Sequence, residues 1–544
     1  MSKVAQYLQE HLRGEVTTSI DVLQYFSTDA SIFTVTPSTV VYPKNENDIR
    51  KIARFSWQLA ERGRIIPMTP RGLGTDQSGA AIGTGIMLVF PAHMNRINKF
   101  DTKTGIITVE PGINYGKLQQ TLFTHGRFLP PYPSSIEFST IGGAVASNSS
   151  GEKSFKYGDT RSYVKKLRVV LANGEVIETG RLSKHDLNKK LGLANFEGEI
   201  YRAIDTLLEE KHQPIKDLKF LVTKNASGYN LKDIRNKQGF DLTPLFVGSQ
   251  GTLGIITEIQ LETEHHNPQS TLLVGMFNDH KNIQSAIIEL RNMSNPPSLI
   301  EIIDENLLNL VDEINPNQLK DVIVKPYPKA LLFIEFDDTN DHSQRKFVKK
   351  AAKILQRYGT NYQIAEDENE KSKLLKIRQS TGLLAIHTDG KLRATPFIDD
   401  GIVPLSNFEE YLTKLYELLE RNRVRAAVWG HAGDGNLSMQ PYLDISQVGD
   451  RQKLFRLMDE YYDLVISLGG MPSAEKGDGR IRGSYLPKAY GQEIYEIFQR
   501  VKSTFDPYGT LNPGVKIGVT IDSIKPLLRD GYKVGKWYDY LPRP

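Results

Sequence analysis

Three stretches crowded with glycine and small polar residues constrain this chain more than any other feature. PRGLGTDQSGA (70–80) follows a segment that reads as a strand, PPYPSSIEFSTIGGAVASNSSGEKSFKYGDTRSYV spans 130–164, and LFVGSQGTLGIITE (245–258) leads into another strand. The long second stretch is unsuited to a hydrophobic core. Glycines at 72, 74 and 79 let backbone N–H groups turn toward one point, an arrangement that cradles an anionic phosphate. One such loop alone would read as an ordinary turn; three in one domain point to a large ligand bearing phosphates. The chain contains neither GxGxxG nor GxxxxGK[ST], which disfavours a Rossmann dinucleotide fold and a P-loop nucleotidase.

The length, 544 residues, is too great for one core and fits two to four domains. A formal charge of +4 gives no reason to expect nucleic acid as a partner. There is no cysteine, which excludes disulfides, thiolate zinc sites, cysteine-ligated iron–sulfur clusters and a cysteine nucleophile. Redox chemistry would therefore need a bound organic cofactor or a His/carboxylate metal site. The opening MSKVAQYLQEHLRGEV lacks a signal-type apolar core, and no stretch approaches the ~20 apolar residues of a membrane helix. The expectation is a cytoplasmic protein with membrane contact at most peripheral, at the inner face.

The periodicity predicts a helix over 48–62, strands over RIIPMT (64–69), GIMLVF (85–90) and GIITVEPG (105–112), and a hairpin turning at Asn173-Gly174, read as type I′. From about 268 the pattern becomes strand 271–277, helix 280–293, strands 299–303 and 330–336, helix 343–358 and strand 361–366. That βαββαβ order is ferredoxin-like. The expected division is an N-terminal arm (1–35), a glycine-rich α+β domain (36–265), a cap (266–424), a segment returning to the site (425–516) and a tail (517–544).

PRGLGT, PSSIEFSTIGGAVASNSSG, KYG, LFVGSQGTLGIITE and the late FDPYGTLNPG (505–514) together resemble the FAD-linked oxidases of vanillyl-alcohol-oxidase type. Within these the chain is most similar to the D-lactate, glycolate and D-2-hydroxyglutarate dehydrogenases. The resemblance covers about 36–265 and 425–516 and implies an α+β fold: a two-subdomain FAD-binding domain, a ferredoxin-like cap over the substrate, and a C-terminal segment returning to the FAD site. It implies FAD contacts at Arg71, Gly72, Gly74, Thr75, Ser134, Thr140, Gly142, Gly143, Asn148, Gly251, Ile256 and Asn512. Relatives with a covalent flavin often carry His where this chain has Thr75, and some add Cys; neither is present, so non-covalent FAD is expected.

The resemblance also implies where chemistry lies. The stretch WGHAGDGNLSMQP (429–441) corresponds to a family pattern HxGDGNxH, whose two histidines, with a Glu from a later SGEHG-like motif, hold a divalent metal. The histidine after that Glu is the family's base. This chain keeps His431 but has Ser438 at the second histidine, and SAEKGDGR (473–480) keeps Glu475 but has Lys476 at the base. His431 and Glu475 alone should bind metal weakly. Lys476 could pair with a substrate carboxylate, stabilise an alkoxide or act as base; the rival is a Lys476–Glu475 salt bridge without chemistry. KIRQSTGLLAIH (376–387) resembles the segment whose Arg grips the substrate carboxylate, making Arg378 the clamp, although Gly382 stands at the family's Thr and Ile398 near a family Lys. His387 reads as structural. Lys533, Lys536 and Arg543 beside Trp537, Tyr538 and Tyr540 could meet an anionic membrane, though packing back on the protein is the simpler expectation.

The implied activity is oxidation of a small 2-hydroxy acid by hydride transfer to flavin N5, with quinone, a partner electron carrier or oxygen as acceptor. Two alternatives stay open: a flavoenzyme of the same fold acting on another alcohol without metal, and a non-catalytic FAD-holding subunit of an oxidoreductase complex.

Overall fold

The computed structural model describes residues 3–320, 322–338, 341–365, 367–385, 388–531 and 541–542. His387 and most of the basic–aromatic tail, including Lys533, Lys536, Trp537, Tyr538, Tyr540 and Arg543, lie outside the described residues.

Two sheets build the glycine-rich half. The first orders Glu15–Thr17, Thr39–Tyr42, Ile86–Val89 and Met68–Arg71 side by side, parallel except for its first pair. Helix Glu46–Ala60 covers it because Ile49, Ile52, Ala53 and Ala60 recur on one face, and Asn45 starts the helix by accepting the Asp48 N–H. The second sheet is antiparallel: Ile97–Asp101, Ile106–Val109, Ile255–Glu262, Val164–Val170 and Val176–Glu178. The hairpin at 171–175 forms, but not through a type I′ turn. Gly174 N–H closes on Leu171 O at 2.9 Å, and of the two turn residues only Gly174 has positive φ, 85°. Glycine accepts that conformation freely; Asn173 did not need it.

The cap holds one eight-stranded antiparallel sheet, in the order Asn361–Ile364, Thr271–Phe277, Ala330–Phe336, Leu299–Asp304, Ala426–Gly430, Ser438–Leu443, Leu392–Ala394 and Thr388–Asp389. The first four strands are the expected ferredoxin-like set. The next two come from the segment expected to return to the FAD site, so that segment extends the cap sheet as well. Alternation decides which face each side chain serves. Leu332, Ile334 and Phe336 pack with helices Ile283–Arg291, Asp341–Arg357 and Phe408–Arg421. Leu331 and Phe333 pack with Glu305–Ile314 and Glu368–Gln379 on the opposite side. Among the described residues no helix is long and apolar enough to cross a membrane.

Candidate active site

The first glycine loop leaves the end of strand Met68–Arg71. Among the described residues, the backbone N–H groups of residues 72–75 meet no protein acceptor. A Cβ on Gly72 would come within 2.4 Å of Thr140 Oγ1, so only glycine lets the first two loops close on each other. Thr140 caps helix Ile141–Ser147 through the Gly143 N–H, and Gly142 and Gly143 remain accessible. Gly251, at φ 73°, presses on Pro70, and a Cβ there would meet Pro70 Cγ at 2.5 Å. Asn512 fastens the last motif to both: its Nδ2 donates to Ala80 O and Gln250 O, each at 2.8 Å. Free N–H donors in a loop whose glycines have no room for a Cβ fit the pyrophosphate of FAD.

The other expected FAD positions are distributed around this frame. Thr75 Oγ1 lies 3.3 Å from Ser139 Oγ, Ser134 is exposed, Ile256 is half-buried, and Asn148, at φ 53°, hydrogen-bonds Asp159 and Arg161 N. Arg71 braces the loop from its protein side: a Cβ on Gly74 would meet its Nη2 at 2.3 Å, its Nη1 donates to Thr28 O and Ala81 O, and the guanidinium lies over Phe26.

A chain of buried ions runs across the seam between the two halves. Arg378 donates through Nε and Nη2 to Glu301, Glu301 Oε1 lies 2.6 Å from His431 Nδ1, and His431 Nε2 lies 3.0 Å from Glu475 Oε1. Lys224 Nζ then reaches Glu475 Oε2 at 2.7 Å and Ser150 Oγ at 2.9 Å. Glu301 sits inside strand Leu299–Asp304, His431 just after strand Ala426–Gly430, and Ser150 on the second glycine-rich stretch. Asp434 accepts from Ser154 Oγ and Thr223 Oγ1, which places the GDGN turn against the same seam.

Lys476 is set apart from this chain. Its Nζ is paired with Asp399 and lies 3.1 Å from Gln77 Oε1 and 3.3 Å from Ser438 Oγ. The Lys476–Glu475 salt bridge weighed from the sequence is not what forms. Glu475 is taken by His431 and Lys224, and Lys476 by Asp399. Asp400 holds the backbone of this turn, accepting the Glu475 and Lys476 N–H groups and the Ser473 hydroxyl. Arg482 supports it from below through Asp399 O and Gly477 O. Of the cluster's cations Lys476 is the most open, its side chain 22% exposed against 5% for Lys224 and 4% for Arg378.

The electrostatics follow from these pairs. Burial alone would depress His431, but the Glu301 and Glu475 carboxylates outweigh it and raise the imidazole to about 9, so it is a cation at neutral pH. Burial opposes ionisation of Glu475, yet His431 and Lys224 hold its carboxyl well below the usual range. Burial likewise works against Lys224, and Glu475 and Asp434 overcome it.

The residues at the implied metal position do not fit a divalent ion. Both His431 ring nitrogens are engaged by carboxylates, Ser438 faces an ammonium, and among the described residues no three His, Asp or Glu side chains form a ligand set. Arg378, expected to grip substrate, is buried with its fork on Glu301. Glu301, Lys224, Asp399 and Asp400 were not singled out by sequence. A lone carboxylate inside LIEII, and a twin aspartate in PFIDDG, were the available signals.

Cradle and cluster belong to a two-part protein with buried charges on the seam between its halves. The FAD binding domain family matches residues 37–180, and the family described as FAD linked oxidases, C-terminal domain, matches 267–515. The chain belongs to the FAD-linked oxidases, and FAD is its cofactor. It is 29% identical to the D-2-hydroxyglutarate dehydrogenase of Haemophilus influenzae, over 94% of this chain and 51% of that protein. It is 28% identical to the glycolate oxidase subunit GlcD of Bacillus subtilis, over 88% of each. The chain thus spans about half the length of the D-2-hydroxyglutarate dehydrogenases it matches. The fold is shared with p-cresol methylhydroxylase (TM-score 0.69, 15% identity, 96% of this chain and 97% of that one) and 4-ethylphenol oxidase from Gulosibacter chungangensis (TM-score 0.67, 15% identity, 95% and 97%).

Proposed function

We propose that this protein oxidises a small 2-hydroxy acid to the 2-oxo acid, passing electrons onward to a quinone, a partner electron carrier or oxygen. The observation that supports the reading is that the polar cluster is tied to two glycine-rich stretches, Lys476 donating to Gln77 of the first and Glu475 accepting from Ser150 of the second. The similarity to D-2-hydroxyglutarate and D-lactate dehydrogenases and to a glycolate oxidase subunit supports the substrate class.

FAD, when bound, supplies the acceptor for the hydride that leaves Cα. The chain's own groups handle charge and the hydroxyl proton. Lys476 and the imidazolium of His431 put two positive charges beside the oxygen that becomes a carbonyl. The hydroxyl proton passes to Lys476 Nζ as that ammonium gives one of its own protons to Asp399, the carboxylate paired with it. Arg378 acts through Glu301 by orienting His431 and does not reach the substrate.

The test is an anaerobic absorbance titration of the FAD-loaded protein with D-lactate, glycolate and D-2-hydroxyglutarate. Bleaching of the flavin band by one of them is expected. A flavin that none of the three reduces would remove the 2-hydroxy acid reading.

A further inference from the structure

Lys476 is held in a way that a surface lysine is not. Its three N–H donors serve one carboxylate, Asp399, and two neutral oxygens, Gln77 Oε1 at 3.1 Å and Ser438 Oγ at 3.3 Å. Asp399 is 1% exposed and Ser438 is buried, so the ammonium is anchored from the protein side while part of it stays accessible. The loop carrying it is fixed by the Asp400 carboxylate beneath two successive N–H groups. Each of the two positions where this chain departs from the implied metal pattern, Ser438 and Lys476, is a partner of the other. A hydroxyl is a weak zinc-type ligand but a good acceptor for an ammonium, so the two exchanges make sense as one.

We propose that Lys476, buttressed by Asp399, Gln77 and Ser438, is a built-in cation that stands in for a divalent metal and receives the carboxylate and 2-oxygen of the acid. This rests on the reading of the cluster as a hydroxy-acid site. A bound carboxylate displaces the two neutral acceptors, Gln77 and Ser438, and leaves the Lys476–Asp399 pair intact. The ligand is therefore a small 2-oxygenated carboxylate bound without a metal bridge, and the site is indifferent to chelators.

Two measurements on the FAD-loaded protein test this without turnover. In the first, cobalt(II) is titrated and followed by its visible ligand-field absorption. The native chain should take up no stoichiometric ion, whereas a Ser438→His/Lys476→Ala variant, which frees the site and restores a second imidazole, should bind about a hundredfold more tightly. In the second, oxalate is titrated against the flavin spectrum in the presence of chelator. Oxalate should perturb the native spectrum, Lys476→Met should weaken its binding at least about tenfold, and Lys476→Arg should retain most of it. One equivalent of cobalt bound tightly by the native chain, or oxalate binding that survives Lys476→Met or is abolished by chelator, would overturn the proposal. If all three hydroxy acids fail to reduce the flavin while the cobalt and oxalate results hold, the reaction is wrong and the metal-free carboxylate site stands.

Discussion

Glu301 Oε1 and His431 Nδ1 meet at 2.6 Å from strands that are neighbours in the cap sheet, where Ile302 pairs with Gly430. The carboxylate's second oxygen takes Arg378, so one fully buried side chain links a guanidinium to an imidazolium. Glu301→Ala leaves Arg378 buried and unpaired. Stability should fall by about 3–5 kcal/mol, read by urea denaturation. A double variant, Glu301→Leu/Arg378→Met, should recover most of that loss. It should not recover flavin reduction, because His431 is then unoriented.

The elevated His431 value fixes a pH dependence. A group bound more tightly to its proton when folded contributes its full stabilisation below its unfolded value near 6.5, and the contribution disappears as pH rises through about 9. Stability should therefore decline between pH 6.5 and 9, by on the order of 3 kcal/mol for this group, and the melting temperature should fall with it. His431→Gln should flatten the decline, as measured by scanning calorimetry across that range.

The loops make a prediction about flavin retention. Gly251→Ala forces a Cβ toward Pro70 at a left-handed backbone position and pushes the third loop off the first. FAD affinity should weaken by about tenfold, corresponding to ~1.4 kcal/mol, seen as a lower flavin-to-protein absorbance ratio after gel filtration. Acid precipitation of the native protein should leave all the yellow colour in the supernatant, since position 75 is threonine and the chain has no cysteine.

The seam between the halves has its own fastener. Asp337 on the cap receives Lys156 at 2.6 Å, Lys153 at 3.1 Å and the Tyr157 hydroxyl at 3.0 Å. Burial would raise its carboxyl, but Lys153 and Lys156 hold it below the ordinary value. Asp337→Ala should lower stability by about 3–5 kcal/mol and split thermal unfolding into two transitions, one for each half.

How much of this was legible in the sequence depended on distance along the chain. The strands 271–277 and 330–336 were read to the residue because their apolar runs are long and bounded. His431, Glu475 and Lys476 stood out through local motifs. Glu301 and Lys224 did not, because their meaning lies in partners 130 and 251 residues away. Arg378 stood out through the resemblance of KIRQSTGLLAIH to a substrate-gripping segment, but only the fold shows its charge committed to Glu301. Ser438 looked like a lost ligand; beside Lys476 it is an acceptor.

Asn512 bonding Ala80 O sets a schedule for biosynthesis. A ribosome that has made the first glycine loop must add 432 more residues before the side chain that ties it to the third loop exists. The cap sheet likewise waits for Ser438–Leu443 before Ala426–Gly430 gains its second neighbour. Stable flavin uptake is therefore a late event, and nascent chains arrested before residue 512 should emerge colourless, with their phosphate cradle unfastened.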